Sequence, residues 1–462
     1  MRLLAVCVPV AAVLTAGGET ALDRYVAAPD PAYRYDVAGS IPCDRCTAHV
    51  IDMKSQSWLT EAEVDRTIWQ HWVTVIRPEK ITSTTGFLFI TGGGNSGKPP
   101  ARADSILSMV ARETGAVVAE LRMVPNQPLR FVGDPVGKPR SEDALIAFGW
   151  DKFLRGGDEK WLARLPMTKS AVRAMDTITS FARTAQGGAL NVEKFVVSGG
   201  SKRGWATWTT AAVDKRVSAI VPYVIDLLNV VPSFEHHWRV YGFWAPAIQD
   251  YQDMKIMDWS RTPRYKEMMK VVEPYEYRDR LTMPKYIVNA SGDQFFLPDS
   301  SQFYFKDLKG EKYLRYIPNT DHSLRNSDAM QGLIGYLQSL LASKPRPKFS
   351  WKIEKDGNLR LKANDIPKEV KLWQASNPKA RDFRLMTIGP AWKSTPVSGK
   401  NGVYIGTVPK PAEGYTAFFL ELTYPGVGKF PLKFTTEVRV SPNVYPHQPF
   451  QPDLSRATNG GK

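Results

Sequence analysis

The run Phe195-Val196-Val197-Ser198-Gly199-Gly200-Ser201-Lys202-Arg203-Gly204-Trp205 holds the residues best suited to chemistry. A short apolar stretch, read as a buried strand, stops at two glycines and a serine, and a helical segment, 205–214, follows at once. Small residues around a serine let the backbone fold sharply between strand and helix. Such a turn lifts the hydroxyl out of the sheet and sets it near a helix N-terminus, where developing negative charge is stabilised. This is the layout of a nucleophile elbow, in a variant form, because the last glycine comes three residues after Ser201 and not two.

A serine hydroxyl becomes a good nucleophile when a base removes its proton, and that base is usually a histidine oriented by a carboxylate. With chain order serine, acid, histidine, three histidines follow Ser201 within the sheet region: His236, His237 and His322. His322 stands just past the last expected strand and before the last expected helix, where the base belongs. Asp293, after the strand run Ile287-Val288-Asn289-Ala290 and a small-residue turn, is the expected acid. Asp226 is the runner-up, and Asp321 is set aside because adjacent residues orient each other's rings poorly. Two oxyanion donors are expected: the backbone N–H of Lys202, and one from the loop Gly92-Gly93-Gly94-Asn95, with Gly94 and Asn95 the candidates. Each donor is worth ~3 kcal/mol of transition-state stabilisation. No Gly-Lys-Ser/Thr follows that loop, so it does not read as a phosphate cradle. The basic pair Lys202-Arg203 could attract a carboxylate-bearing substrate, although an anchoring role is the preferred reading for Arg203.

Elements able to position these residues recur along the chain. Strand runs are expected at Val73–Arg77, Phe87–Ile90, Ala116–Leu121, Phe195–Ser198, Ala219–Ile225, Lys285–Ala290 and Tyr313–Ile317. Helical patterns fall at 105–112, 141–154, 168–186 and 327–342. Thr60 with Glu63 three residues on reads as a capping box starting a further helix. Short apolar runs alternating with amphipathic helices imply an α/β fold, a mostly parallel sheet covered on both faces. An aromatic-rich insertion at about 234–280 fits a cap over the site, with Trp238 and Trp244 as substrate-binding candidates. The plain alternative is a helical insertion whose aromatics only pack. After Lys344-Pro345-Arg346-Pro347, short alternating segments over 347–441 read as a small antiparallel β-sandwich of immunoglobulin-like style, followed by a loose proline- and glycine-rich tail, 442–462.

At 462 residues, 43% hydrophobic and 23% charged, the chain reads as globular, with a hydrolase-like domain over 19–346 and a second, C-terminal domain. Met1-Arg2 and the apolar run to Ala16, closed by small residues, read as a signal peptide over 1–18, so a secreted or periplasmic location is expected. No later segment holds 18 uninterrupted apolar residues, which excludes a transmembrane helix in the mature chain. Cys7 would leave with the signal. Cys43 and Cys46 remain, and a local disulfide is expected over a redox or zinc motif. The net charge of +15 favours anionic partners such as polysaccharide, lipid or cell wall. The basic residues are scattered and no nucleic-acid-binding motif occurs, so nucleic acid is not an expected partner. The one N-glycosylation sequon, Asn289-Ala290-Ser291, lies at a strand end near the acid, too enclosed for a glycan.

Taken together, Ser57-Trp58-Leu59, Gly92-Gly93, Val124–Pro128, Glu142–Ala147, Leu165–Asp176, Gly199–Trp205 and Arg381–Arg384 resemble the PhoPQ-activated pathogenicity-related protein family. The resemblance spans nearly the whole mature sequence. It implies an exported α/β-hydrolase-like domain with an added C-terminal β domain. The elbow is also similar to that of glucuronoyl esterases, where a basic residue follows the serine, here Lys202. The expected function is a secreted serine hydrolase, an esterase acting through an acyl-enzyme on an ester-bearing or anionic surface substrate, with no cofactor. Some relatives in the family look like secreted proliferation-repressing signals, so a non-catalytic ligand for a cell-surface receptor stays open, as does a serine peptidase.

Overall fold

The computed structural model describes residues 18–95 and 97–459; the expected signal peptide lies almost wholly outside them. The first nine strands are β1 (Arg34–Cys43), β2 (Cys46–Ser57), β3 (Ile68–Pro78), β4 (Thr85–Ile90), β5 (Val118–Leu121), β6 (Lys194–Gly200), β7 (Val217–Tyr223), β8 (Lys285–Ala290) and β9 (Lys312–Ile317). They lie in the order β1-β2-β3-β5-β4-β6-β7-β8-β9. From β5 to β9 every pairing is parallel, while β1, β2 and β3 add on antiparallel. The parallel strands are buried on both faces, which is why their sequences are continuous apolar runs. The β1–β2 hairpin was not foreseen, because β1 is mostly exposed and lacks an apolar rhythm. Cys43 and Cys46 are disulfide-bonded across its tip. The Glu63 carboxylate accepts both the N–H and the hydroxyl of Thr60, but the Glu63 N–H donates to the Thr60 carbonyl and not to its side chain, so the two residues close a single turn and start no helix, and Val64 leaves it to bridge Phe131.

The helices are α1 (Ala21–Ala27), α2 (Ser105–Thr114), α3 (Glu142–Leu154), α4 (Arg164–Ala182), α5 (Lys202–Val213), α6 (Val230–Tyr241), α7 (Gln249–Asp253), α8 (Pro263–Val272) and α9 (Ala329–Leu341). Helix α2 shows why such segments are helical: Asp104 caps the N–H groups of Ile106 and Leu107, and Gly115 ends the helix at φ 64°. Successive strand side chains point to opposite faces. Val196, Val221 and Val288 therefore pack on one face with α2 and α9, and Val197, Ile220 and Ile287 on the other with α4 and α5. Helix α4 is buried nearly all round. No helix among the described residues is long and apolar enough to cross a membrane.

The C-terminal strands are β10 (Phe349–Ile353), β11 (Leu359–Ala363), β12 (Glu369–Asn377), β13 (Lys393–Pro396), β14 (Val403–Gly406), β15 (Tyr415–Tyr424), β16 (Leu432–Thr435) and β17 (Arg439–Ser441), with a short helix, α10 (Leu385–Ile388). Strands β10, β11 and β14 form a separate antiparallel sheet. Leu359 and Leu361 from it share a core with Leu372, Phe418 and Leu420 of the sheet facing it. That facing sheet continues the central one: Thr435 on β16 pairs with Leu314 on β9 and accepts a hydrogen bond from Tyr316 N–H at 3.0 Å. The edge of the parallel sheet is thereby covered. Arg315 on β9 reinforces the join by pairing with Glu421 on β15 and with Asp328. The segment after Ser441, expected loose, packs back on the hydrolase region: Tyr445 bonds His236, Phe450 meets Trp238 and Trp244, and α11 (Leu454–Asn459) buries Ala457.

Candidate functional site

Ser201 sits between β6 and α5 at φ 57° and ψ −124°, a conformation that a non-glycine residue adopts only when its surroundings enforce it. Those surroundings are visible. The Ser201 N–H donates to Tyr223 O at 2.8 Å. A methyl group at Gly199 would meet the Arg203 carbonyl oxygen at 2.7 Å, and one at Gly204 would meet Tyr223 O at 2.9 Å. Strand and helix approach too closely at these two positions for any side chain, which accounts for the third glycine standing one place later than in the common motif. Gly200 is under no such pressure. The result is a serine at the positive end of α5, whose first N–H groups, Lys202 N–H among them, have no partner within the helix.

The loops that carry the candidate acid and base, Asp293 and His322, follow β8 and β9. Asp293 is buried, and its Oδ1 accepts the N–H of Phe295 at 2.7 Å. Its Oδ2 lies 2.8 Å from His322 Nδ1, and the Gln294 side chain accepts the His322 N–H at 3.1 Å. The ring is further held by Phe295, whose centroid is 4.3 Å away. His322 Nε2 is buried without a hydrogen-bond partner in the chain. Phe295 and Phe296, which flank this ring, also line a cavity with Ser201. Asp226 is elsewhere engaged. It accepts from Tyr304 and Tyr316 hydroxyls, both at 2.6 Å, and burial pushes its carboxyl up to about 8 despite those two bonds. His236 bonds Asp299 and Tyr445, while His237 accepts the Ala245 N–H. Neither bonds the elbow.

Several of the other candidates have different employment. The Asn95 N–H donates to Gln127 O at 2.5 Å, so it is spent on the neighbouring 124–128 segment and cannot serve an oxyanion. Gly94 is exposed, and its carbonyl accepts the Gly97 N–H at 2.9 Å. Arg203 is an anchor and not a substrate ligand: Nη1 and Nη2 bond Glu142 at 2.7 and 2.6 Å, and Nε bonds Val124 O at 2.5 Å. Its guanidinium passes so close to Gly92 that a methyl there would lie 2.5 Å from Nη2, so this glycine makes room for Arg203. Lys202 Nζ also pairs inward, with Asp143 at 2.8 Å and Glu142 at 3.0 Å. Burial alone would raise the Glu142 carboxyl, but bonds from Arg203 and the charges of Arg203 and Lys202 hold it down at about 2. Trp238 and Trp244 pack on each other, centroids 5.1 Å apart, and on Phe450 from the tail, so they are covered and do not line the serine cavity.

The cavity beside Ser201 measures about 40 Å³. Trp150, Trp205, Phe234 and Tyr251 make its walls, with Asp143, Arg164 and Lys202 as its charged lining. None of Trp150, Asp143 or Arg164 was singled out from sequence. Each is distant along the chain from Ser201, and the available signal was the family-like segments Glu142–Ala147 and Leu165–Asp176 that border them.

A strand order in which the elbow follows β6, an acid follows β8 and a histidine follows β9 defines an α/β-hydrolase scaffold. The chain belongs to the PhoPQ-activated pathogenicity-related protein family, whose model matches residues 22–384. It is 38% identical over 459 residues to autocrine proliferation repressor protein A of Dictyostelium discoideum, covering 92% of this chain and 91% of that protein. Among solved structures it is similar to acetyl xylan esterase 1 from Thermoanaerobacterium sp. JW/SL YS485, with 13% identity and TM-score 0.47 over 69% of this chain and 92% of that one. A glucuronoyl esterase from Solibacter usitatus gives 13% identity and TM-score 0.38 over 69% and 90%. At such scores the strand order, and not these likenesses, carries the assignment of the scaffold.

Proposed function

We propose that this protein is a serine esterase in which Ser201 is the nucleophile, His322 the general base and Asp293 the residue that orients it. The carrying observation is the Asp293–His322 bond of 2.8 Å, with a partnerless Nε2 beside the same two phenylalanines that wall the Ser201 cavity. Substrate binding would bring Ser201 Oγ and Nε2 together, since such bonds are often loose until the site is filled. His322 then takes the serine proton as Oγ attacks the ester carbonyl. The alcohol leaves with that proton, and water resolves the acyl-enzyme by the same route. The Lys202 N–H at the start of α5 supplies one oxyanion donor. The second falls to the Gly92–Gly94 turn, because Asn95 N–H is committed. A secreted or periplasmic site of action, on ester-bearing surface polysaccharide or lipid, suits the strongly basic charge.

Hydrolysis of short-chain esters by the purified chain tests this. Ser201→Ala and His322→Ala are expected to lower kcat by about 10⁴ or more with melting temperatures unchanged. Equal rates in parent and variants would remove the reading. The Dictyostelium relative's name, autocrine proliferation repressor protein A, favours a second reading, a secreted regulator acting through a receptor. On that reading Ser201→Ala would leave the biological effect intact.

A further inference from the structure

Arg164 opens helix α4, is 4% exposed, and lines the cavity beside Ser201. Its Nη1 donates to the Lys202 carbonyl at 3.0 Å, its guanidinium lies 4.4 Å over the Trp205 ring, and the Tyr251 hydroxyl faces it. Its Nε is buried and has no partner. Among the described residues no carboxylate pairs with it: Glu142 pairs with Lys202 and Arg203, and Asp143 with Lys202. The Asp143 charge reaches Arg164 only from beyond pairing distance, and the Tyr251 hydroxyl that faces Arg164 donates to Asp143 at 3.1 Å. A buried guanidinium with no carboxylate at pairing distance is unfavourable, and the stack on Trp205 and the more distant Asp143 charge offset only part of that. An arginine is also the side chain whose forked donors match a carboxylate.

From this geometry we infer that Arg164 is the anchor for a carboxylate on the substrate, so that the preferred ester carries a short acyl chain ending in an anion. The inference rests on the esterase reading above. The cavity, about 40 Å³, is small, which suits a short acyl chain and not a long one. The same charge keeps neutral long-chain acids from settling there. Lys202 does not compete for the ligand, since both of its carboxylate partners are within 3.0 Å.

The test compares monomethyl succinate with methyl butyrate, two methyl esters of similar length that differ in terminal charge. The parent is expected to show at least ten-fold higher kcat/KM on monomethyl succinate. Arg164→Met should abolish that preference, lowering kcat/KM on monomethyl succinate at least ten-fold more than on methyl butyrate, and Arg164→Lys should retain part of it. Equal use of both esters by the parent, or equal losses on both esters in Arg164→Met, would overturn the inference. The first of these outcomes decides the matter even where Arg164→Met does not fold. Calorimetric binding of monomethyl succinate to Ser201→Ala, with and without Arg164→Met, separates the two claims. Arg164-dependent binding, together with a folded parent that hydrolyses neither ester, keeps the anchor and discards the esterase. A reactive serine with no Arg164-dependent binding does the reverse.

Discussion

At the scale of residues, two buried aspartates compete for one role and their surroundings separate them. Asp293 sits 2.8 Å from a ring nitrogen, whereas Asp226 is clasped by two tyrosine hydroxyls and burial drives its carboxyl up to about 8. A carboxyl that is largely neutral at pH 7 cannot hold an imidazolium. Asp293→Asn is therefore expected to lower kcat by about 10⁴, the scale set when a triad loses its acid. Asp226→Asn should stay within about three-fold of the parent. Steady-state rates on one ester at pH 7 check both. The Asp293–His322 pairing was legible from sequence, because each residue follows a continuous apolar strand, and strand ends can be counted. Arg164 was not legible. Its significance comes from a carboxylate it lacks, which only the packed neighbourhood of α3, α5 and α7 reveals.

At the scale of elements, the elbow is braced from the side by a clamp. Arg203 on α5 bonds Glu142 on α3 and the Val124 carbonyl, and Gln127 donates to the same Glu142 at 2.5 Å. The family-like segments Gly92-Gly93, Val124–Pro128 and Glu142–Ala147 thus converge on one guanidinium. From sequence the glycine loop reads as an oxyanion-donor loop and the other two segments only as family features, since spacing alone does not show an arginine 61 residues away in the chain. Because Glu142 falls from an ordinary 4.5 to about 2 on folding, the clamp's contribution is complete above pH 4.5 and is lost as the pH drops through about 2. Melting temperatures recorded from pH 5 to pH 2 should fall less steeply for Arg203→Met than for the parent. At neutral pH the same variant is expected to lose about 2 kcal/mol, less than a fully buried pair would, because Glu142 is partly exposed.

At the scale of the whole molecule, the C-terminal region is part of the site's support. Leu385 N–H donates to Gly292 O at 3.0 Å, one residue before Asp293, and Gly292 N–H donates to Thr320 O at 3.0 Å, two residues before His322. A methyl at Gly292 would lie 2.8 Å from Leu385 N, so the acid loop, the base loop and α10 meet at one point. The sandwich strands were legible through their alternation and turn residues, but their continuity with β9 was not, since a single pairing, Thr435 with Leu314, makes it. In the tail, prolines and glycines mark irregular backbone, not an unpacked one: Tyr445, Phe450 and Ala457 are its fastenings. Truncation after Ser441 should uncover Trp238 and Trp244. A red shift in tryptophan emission and a lower melting temperature are expected, and an unchanged spectrum would contradict the packing.

The central claim is that Ser201 is an activated nucleophile, and its most direct measurement is intact-mass detection of a fluorophosphonate adduct. The folded parent is expected to gain one adduct, mapped by peptide analysis to Ser201, while Ser201→Ala and His322→Ala gain none. A folded parent that stays unmodified would contradict the account, as would an adduct on any other serine.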